Sequence, residues 1–210
     1  MTTFILVLEL IGAAAFAVSG AVKGIQKNMD LFGICVLGLT VATGGGVVRD
    51  LILGATPPAM FQNPIYAVTA IATCFIVCIP KVRHIVLKST DLMLVADSIG
   101  LGIFTVAGAM KAYQIIDSPT VFLAVFVGVV TGVGGGLLRD VMAGETPYIF
   151  VKHIYATASI AGALLFCLMI KFVEPYIAML ICTLFIIIIR LLASHYQWSL
   201  PKFEAGRKSA

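Results

Sequence analysis

Two short stretches of this chain could do chemistry, and they are nearly copies of each other. Thr43-Gly44-Gly45-Gly46-Val47-Val48-Arg49-Asp50 returns 90 residues later as Val133-Gly134-Gly135-Gly136-Leu137-Leu138-Arg139-Asp140. Each copy follows apolar sequence and precedes a Gly-x-Thr-Pro turn, at Gly54, Thr56 and Pro57, then at Gly144, Thr146 and Pro147. A guanidinium and a carboxylate in apolar surroundings cost on the order of 3 kcal/mol each if unpaired. Each glycine in a helix costs about 1 kcal/mol relative to alanine. Both costs are incurred twice, in register, which points to a duplicated site. Charges of this kind can pair with each other, hold an ionic solute, or line a polar path.

Other chemistries find no support. The glycines fail the G-x-G-x-x-G spacing, since Leu137 stands where the third would fall, and no Lys-Ser/Thr follows as in a phosphate loop. There is no G-x-S-x-G and no H-E-x-x-H, so no catalytic residues are assigned. The five cysteines (Cys35, Cys74, Cys78, Cys167, Cys182) lie in apolar runs with no histidine at ligand spacing. They read as small hydrophobic residues, and neither a metal nor a cofactor is expected.

The elements that hold these residues follow from composition. The 210 residues are 60% hydrophobic and 11% charged, with a mean hydropathy of +1.09. A soluble domain carries roughly 25% charged residues, so the chain belongs in a bilayer, and its net charge of +4 does not indicate a nucleic-acid partner. Runs near the roughly 20 apolar residues of a spanning helix number seven: Phe4–Val22, Leu31–Leu53, Pro64–Ile79, Leu92–Ala112, Thr120–Met142, Ile154–Ile170 and Tyr176–His195. The first lacks the basic start of a signal peptide and reads as retained. The longest connection is the loop from Lys81 to Asp91.

The duplication extends beyond the glycines. At an offset of 88, Glu9 matches Asp97, Gly12 matches Gly100, Phe16 matches Phe104, and Gly20-Ala21-Val22-Lys23 matches Gly108-Ala109-Met110-Lys111. Three spans per copy is an odd number, so the second copy enters from the opposite face, as in the inverted repeats of many transporters. The expectation is an all-α integral membrane protein of seven spans. Repeat one covers 4-80, repeat two 91-171 and a terminal helix 175-196, within one transmembrane domain over 1-196, followed by a cytoplasmic tail over 197-210. With the N-terminus outside, nine basic residues lie on the inner side and two on the outer, which favours N-out, C-in.

Depth assigns partners. Neighbours i and i+1 do not face each other on a helix, so Arg49 and Asp50 are not expected to neutralise one another fully. Glu9 lies at the depth of Arg49 and Asp97 at that of Arg139, which predicts the pairs Glu9–Arg49 and Asp97–Arg139. Small residues every four positions, Gly38-Ala42-Gly46 and Gly128-Gly132-Gly136, form close-packing stripes. The charges share their face. Glycines 44–46 and 134–136 are expected to kink the helices and free carbonyls toward a polar path. Lys23 and Lys111 end matching spans, where they could snorkel to the interface or guard a pore mouth. Ser19, Ser98, Thr43 and Thr131 are expected to satisfy helix backbone, and Tyr66, Tyr155 and Trp198 to sit in the interfacial belts.

With its doubled Gly-Gly-Gly-x-x-Arg-Asp, each followed by a Thr-Pro turn, the chain resembles prokaryotic members of the trimeric intracellular cation channel (TRIC) family over about residues 4–196. The resemblance implies a homotrimer in a cell (inner) membrane, each subunit passing monovalent cations, chiefly K⁺ and also Na⁺, through its own pore. It carries over to Gly44, Gly45, Gly46, Gly134, Gly135 and Gly136 as the bends at the pore, and to Arg49, Asp50, Arg139 and Asp140 beside it. The same sequence domain is associated with glycine transport in bacteria. A K⁺ channel and a secondary transporter of a small zwitterion such as glycine are therefore both open, since inverted repeats suit either. A purely structural subunit gives no reason to bury the same charges twice.

Overall fold

The computed structural model describes residues 3–89, 91–151 and 154–198. All regular structure among these is helical. The first repeat comprises α1 (Thr3–Gln26), α2 (Leu31–Ile52), a single turn α3 (Ala59–Gln62), α4 (Ile65–Cys78) and α5 (Pro80–Lys88). The second comprises α6 (Leu92–Ile115), α7 (Val121–Met142), a single turn α8 (Tyr148–Val151) and α9 (Ala156–Met169), and α10 (Pro175–His195) follows. Matching helices have equal lengths: 24 residues in α1 and α6, 22 in α2 and α7, and 14 in α4 and α9.

Local sequence sets the boundaries. The Asp30 carboxylate caps α2 by accepting from Gly33 N at 2.7 Å, and the Thr120 hydroxyl caps α7 by accepting from Leu123 N at 3.2 Å. Such caps satisfy donors that the first turn leaves free. Both helices stop two residues before a glycine in the left-handed region, Gly54 at φ +69° and Gly144 at φ +68°. Side chains of other residue types adopt that conformation poorly.

The outer surface is apolar, with Phe32, Phe122 and Phe172 more than three-quarters exposed and Ile188, Leu184 and Val48 also outward. The buried polar residues lie inside, the arrangement a lipid solvent demands. Among the described residues, five helices (α1, α2, α6, α7, α10) are long and apolar enough to span alone, and the bent pair α4–α5 brings the number to six. At 1.5 Å per residue α4 and α9 reach only about 21 Å, short of a hydrocarbon core of about 30 Å. The connection read as a loop from Lys81 to Asp91 is instead mostly α5. This amphipathic turn of chain begins at Pro80 and bends by 85° from α4. Val82 and Val86 anchor it to the first repeat's core, a periodicity of four masked in the sequence by the intervening Arg83 and His84.

α1 packs on α6 and α2 on α7 at the centre, so the repeats meet face to face, while α10 closes the outside of α6 and α9. Glycine sets these distances. A Cβ on Gly20 would stand 2.8 Å from Gly38 Cα, and one on Gly108 3.1 Å from Gly128 Cα. At the crossing of α2 and α7 a Cβ on Gly134 would stand 3.0 Å from Gly45 Cα, and one on Gly45 would strike the Thr131 carbonyl oxygen. The expectation that the triple glycines free carbonyls is corrected here, because helical hydrogen bonding runs unbroken through both in α2 and α7. Their glycines remove side chains so that two backbones can touch, a use of glycine that leaves helical hydrogen bonding intact.

Candidate functional site

Each repeat builds one buried ion cluster, and the two flank an aromatic centre. In the first cluster Arg49 donates from Nη1 to Glu9 Oε1 at 3.2 Å and from Nε to Asp50 Oδ1 at 2.8 Å. Glu9 accepts a second bond, from Tyr66 Oη to Oε2 at 2.6 Å. Asp50 accepts a second from Ala59 N at 2.8 Å, which ties the start of α3 to α2. In the second cluster Arg139 donates from Nη1 to Asp97 Oδ1 at 2.6 Å and to Ser19 Oγ at 2.5 Å, and from Nε to Asp140 Oδ1 at 2.8 Å. Asp140 accepts from Tyr148 N at 2.8 Å, in the place of the Ala59 bond. Arg190 of α10 adds a bond from Nη2 to Asp97 Oδ2 at 3.3 Å.

The pairs Glu9–Arg49 and Asp97–Arg139, inferred from depth, are both formed. Arg49 and Asp50 do meet, but Asp50 shares the guanidinium with Glu9, so the two do not neutralise one another fully, as the sequence implies. On both helices the arginine folds back so that Nε reaches its own neighbour's carboxylate. A long guanidinium stem escapes the i, i+1 rule, which concerns Cβ directions rather than side-chain ends. Each arginine is therefore shared by two carboxylates and each carboxylate has a second donor, the condition under which buried charges are tolerated.

Three other expectations change. Tyr66 and Tyr155 are not in an interfacial belt; they are 7% and 2% exposed and stand against the clusters. Lys23 does not snorkel: it is 5% exposed and pairs with Glu145 Oε2 at 2.7 Å, while Lys27 takes Oε1 at 2.9 Å. The two lysines hold the Glu145 carboxyl at about 2, well below its ordinary range. Sequence reasoning missed Glu145 because its counterpart in the first repeat is Ala55, so the duplication gave no signal there. It also left Arg190 unassigned, although an arginine inside an apolar run was signal enough. Thr43, Ser98 and Thr131 donate to the carbonyls of Leu39, Leu94 and Val127, as read from the sequence. Ser19 does not; it accepts from Arg139.

Between the clusters, Phe16 and Phe104 stack with ring centroids 5.4 Å apart. These are repeat counterparts, and glycines make room for them: a Cβ on Gly12 would stand 3.1 Å from Phe104 Cε2, and one on Gly135 3.0 Å from Phe16 Cε2. A cavity of about 30 Å³ opens on the first cluster, lined by Glu9, Thr43, Gly46, Arg49, Tyr66 and Phe104. That is room for a water or two. A second cavity of about 220 Å³ shares Asp50, Ala59 and Tyr66 with it and reaches Ala55 and the partly exposed Lys111. The second cluster is more enclosed, with Arg139 and Asp140 0% exposed and Asp97 1%. No group of His, Cys, Asp and Glu among the described residues could hold a metal ion.

A family model described as glycine transporter matches this chain twice, over residues 6–81 and 94–171. The chain belongs to that family. The two matches fall on the two repeats. The UPF0126 membrane protein of Vibrio cholerae is 35% identical over 203 residues, covering 96% of this chain and 84% of that protein. The UPF0126 inner membrane protein YadS of Escherichia coli K12 is 39% identical over 75% of this chain and 74% of its own. A solved TRIC cation channel superposes with a TM-score of 0.85 at 36% identity, covering 95% of this chain and 97% of that one. The TRIC orthologue from Rhodobacter sphaeroides gives 0.82 at 31% identity, covering 94% and 100%. Sequence and structure relatives thus agree on the prokaryotic TRIC family, and they are membrane proteins and channels rather than enzymes.

Proposed function

We propose that this protein is a monovalent cation channel, conducting K⁺ through a path inside each subunit of a homotrimer in the cell membrane. The observation that carries this reading is the pair of buried ion clusters, one from each repeat, with a cavity opening on the first. The clusters lie on either side of the Phe16–Phe104 pair, and two cavities with shared lining residues adjoin the first of them. The first cluster holds two carboxylates against one guanidinium. Its net charge of −1 favours a cation, and an apolar ring stack is a natural constriction for a hydrated ion. The Arg49 guanidinium, spent on Glu9 and Asp50, does not repel it. The close TRIC relatives named above support the same reading. In this reading the glycines at 44–46 and 134–136 hold α2 and α7 together around the path, and Lys23 and Lys111 stand at its two mouths. The topology is seven spans, N-out and C-in, with α4 and α9 as short spans. Residues 1-196 form one transmembrane domain, with repeats over 4-80 and 91-171; the expected cytoplasmic tail over 197-210 lies, from 199 onward, outside the described residues. In this reading the Phe16–Phe104 stack and the Lys23–Glu145–Lys27 ion pairs close the path.

A second reading is a secondary transporter of a small zwitterion such as glycine. The family description favours it, as does a cavity that reaches the site from one side, the asymmetry alternating access requires. Purified protein in liposomes separates the two. Ohmic single-channel K⁺ currents without labelled glycine uptake are the expected result. Saturable glycine uptake without currents would replace the channel reading with the transporter.

A further inference from the structure

The two ion clusters differ at the Ser19 bond to Arg139 and at the second oxygen of the Glu9 or Asp97 carboxylate, and the latter difference is made by the helix that has no repeat counterpart. In the first cluster the second oxygen of Glu9 is occupied by the Tyr66 hydroxyl at 2.6 Å. Tyr155 is the counterpart of Tyr66, each standing near the start of its repeat's third span. The Tyr155 hydroxyl is buried and has no hydrogen-bond partner among the described residues. It nevertheless stands beside the carboxylate: a Cβ on Gly136 would touch Tyr155 Oη while lying 3.4 Å from Asp97 Oδ1. The second oxygen of Asp97 is taken instead by Arg190 Nη2, at a long 3.3 Å. The Arg190 guanidinium lies over the Tyr155 ring, 4.4 Å from its centroid, and its Nε is buried without a partner.

We propose that Asp97 Oδ2 is a seat shared by Arg190 and the Tyr155 hydroxyl, and that Arg190 is the residue setting the charge of the inner half of the cation path. This rests on the channel reading above. With Arg190 seated, the second cluster has two carboxylates and two guanidinium groups, a net charge of zero. With Tyr155 seated and Arg190 withdrawn along α10, the balance becomes −1, that of the first cluster. A buried donor left unmade costs free energy, and in either arrangement one of the two donors is left over. The charge-assisted bond is the stronger of the two, so Arg190 holds the seat in this structure and the hydroxyl takes it when Arg190 leaves; one elementary charge in a low-dielectric path is a large handle on cation entry.

The test uses the full-length protein in planar bilayers or liposomes. Arg190→Gln raises cation conductance several-fold at low salt, with the gain shrinking at high salt by screening, and Arg190→Lys restores the wild-type value. Tyr155→Phe folds as wild type, because its hydroxyl has no bond to lose, and lowers conductance by leaving Arg190 without a competitor. Conductance unchanged in both Arg190→Gln and Tyr155→Phe overturns the proposal. If Arg190→Gln does not fold, unchanged conductance in Tyr155→Phe suffices. A thermal unfolding cycle in detergent reads the shared seat without any current. Tyr155→Phe is neutral in wild type and destabilising in the Arg190→Gln background, where the hydroxyl has taken the seat. Equal effects in both backgrounds refute the sharing. A wild type that carries no current at all overturns the channel reading, and the role of Arg190 in conduction with it, whatever the unfolding cycle gives.

Discussion

Three adjacent glycines on α2 are expected to respond to alanine in three different ways, which gives a sharp test of what they are for. A Cβ on Gly45 would strike the Thr131 carbonyl oxygen, with Thr131 C at 3.1 Å and Cα at 3.4 Å behind it, all backbone of α7. One on Gly46 would meet nothing closer than Arg49 Nη2 at 3.8 Å. One on Gly44 would meet the end of the Leu138 side chain, which can rotate away. Alanine gains about 1 kcal/mol over glycine in a helix. Gly46→Ala keeps that gain. In Gly45→Ala it is set against an overpacking cost of about 1–3 kcal/mol, at the upper end because a helix backbone cannot step aside. The net is a loss of up to about 2 kcal/mol, so neighbouring substitutions should differ by about 3 kcal/mol, or roughly 6–12 °C in midpoint for a chain of this size. Thermal unfolding of the purified variants in one detergent measures it, with Gly44→Ala falling between. If Gly45→Ala and Gly46→Ala unfold together, close approach of α2 and α7 is not what the glycines provide, and the helix-bending role returns.

Removing the first cluster's cation is expected to be worse than removing one anion. Arg49→Met leaves Glu9 and Asp50 buried without a countercharge and should cost about 3–5 kcal/mol, whereas Glu9→Gln leaves Arg49 on Asp50 and should cost less. Equal yields and midpoints for the two variants would refute the shared-arginine account. Phe104→Ala opens the aromatic centre and is expected to raise basal K⁺ flux into liposomes; unchanged flux would show that the Phe16–Phe104 stack is not the constriction. Because the Glu145 carboxyl is held at about 2, below its unfolded value near 4.5, its contribution is present above about pH 4.5 and lost as pH falls through about 2. The stability difference between wild type and Glu145→Gln should therefore be flat from pH 8 to pH 5 and shrink only below; a decline centred near pH 6 would contradict the pairing with Lys23 and Lys27.

The sequence determined the solvent, the duplication and the partners. An 11% charged chain cannot face water. An offset of 88 that carries Glu9 onto Asp97 and Lys23 onto Lys111 gives two like halves. Depth along helices of known rise then pairs Glu9 with Arg49 and Asp97 with Arg139. These are one-dimensional facts, and they survive folding because hydropathy, period and rise are properties of the chain itself. Tertiary structure alone decided what the glycines do, since whether Gly45 bends α2 or admits the Thr131 carbonyl depends on what lies opposite. It alone drew Tyr66 and Tyr155 inward, because a tyrosine at a span end suits an interface or a carboxylate equally well. The breaks in symmetry, Glu145 against Ala55 and Arg190 from the unrepeated helix, could not be seen as partners from a repeat. Their contacts join residues 122 and 93 positions apart, and no local pattern encodes a distance in space between helices.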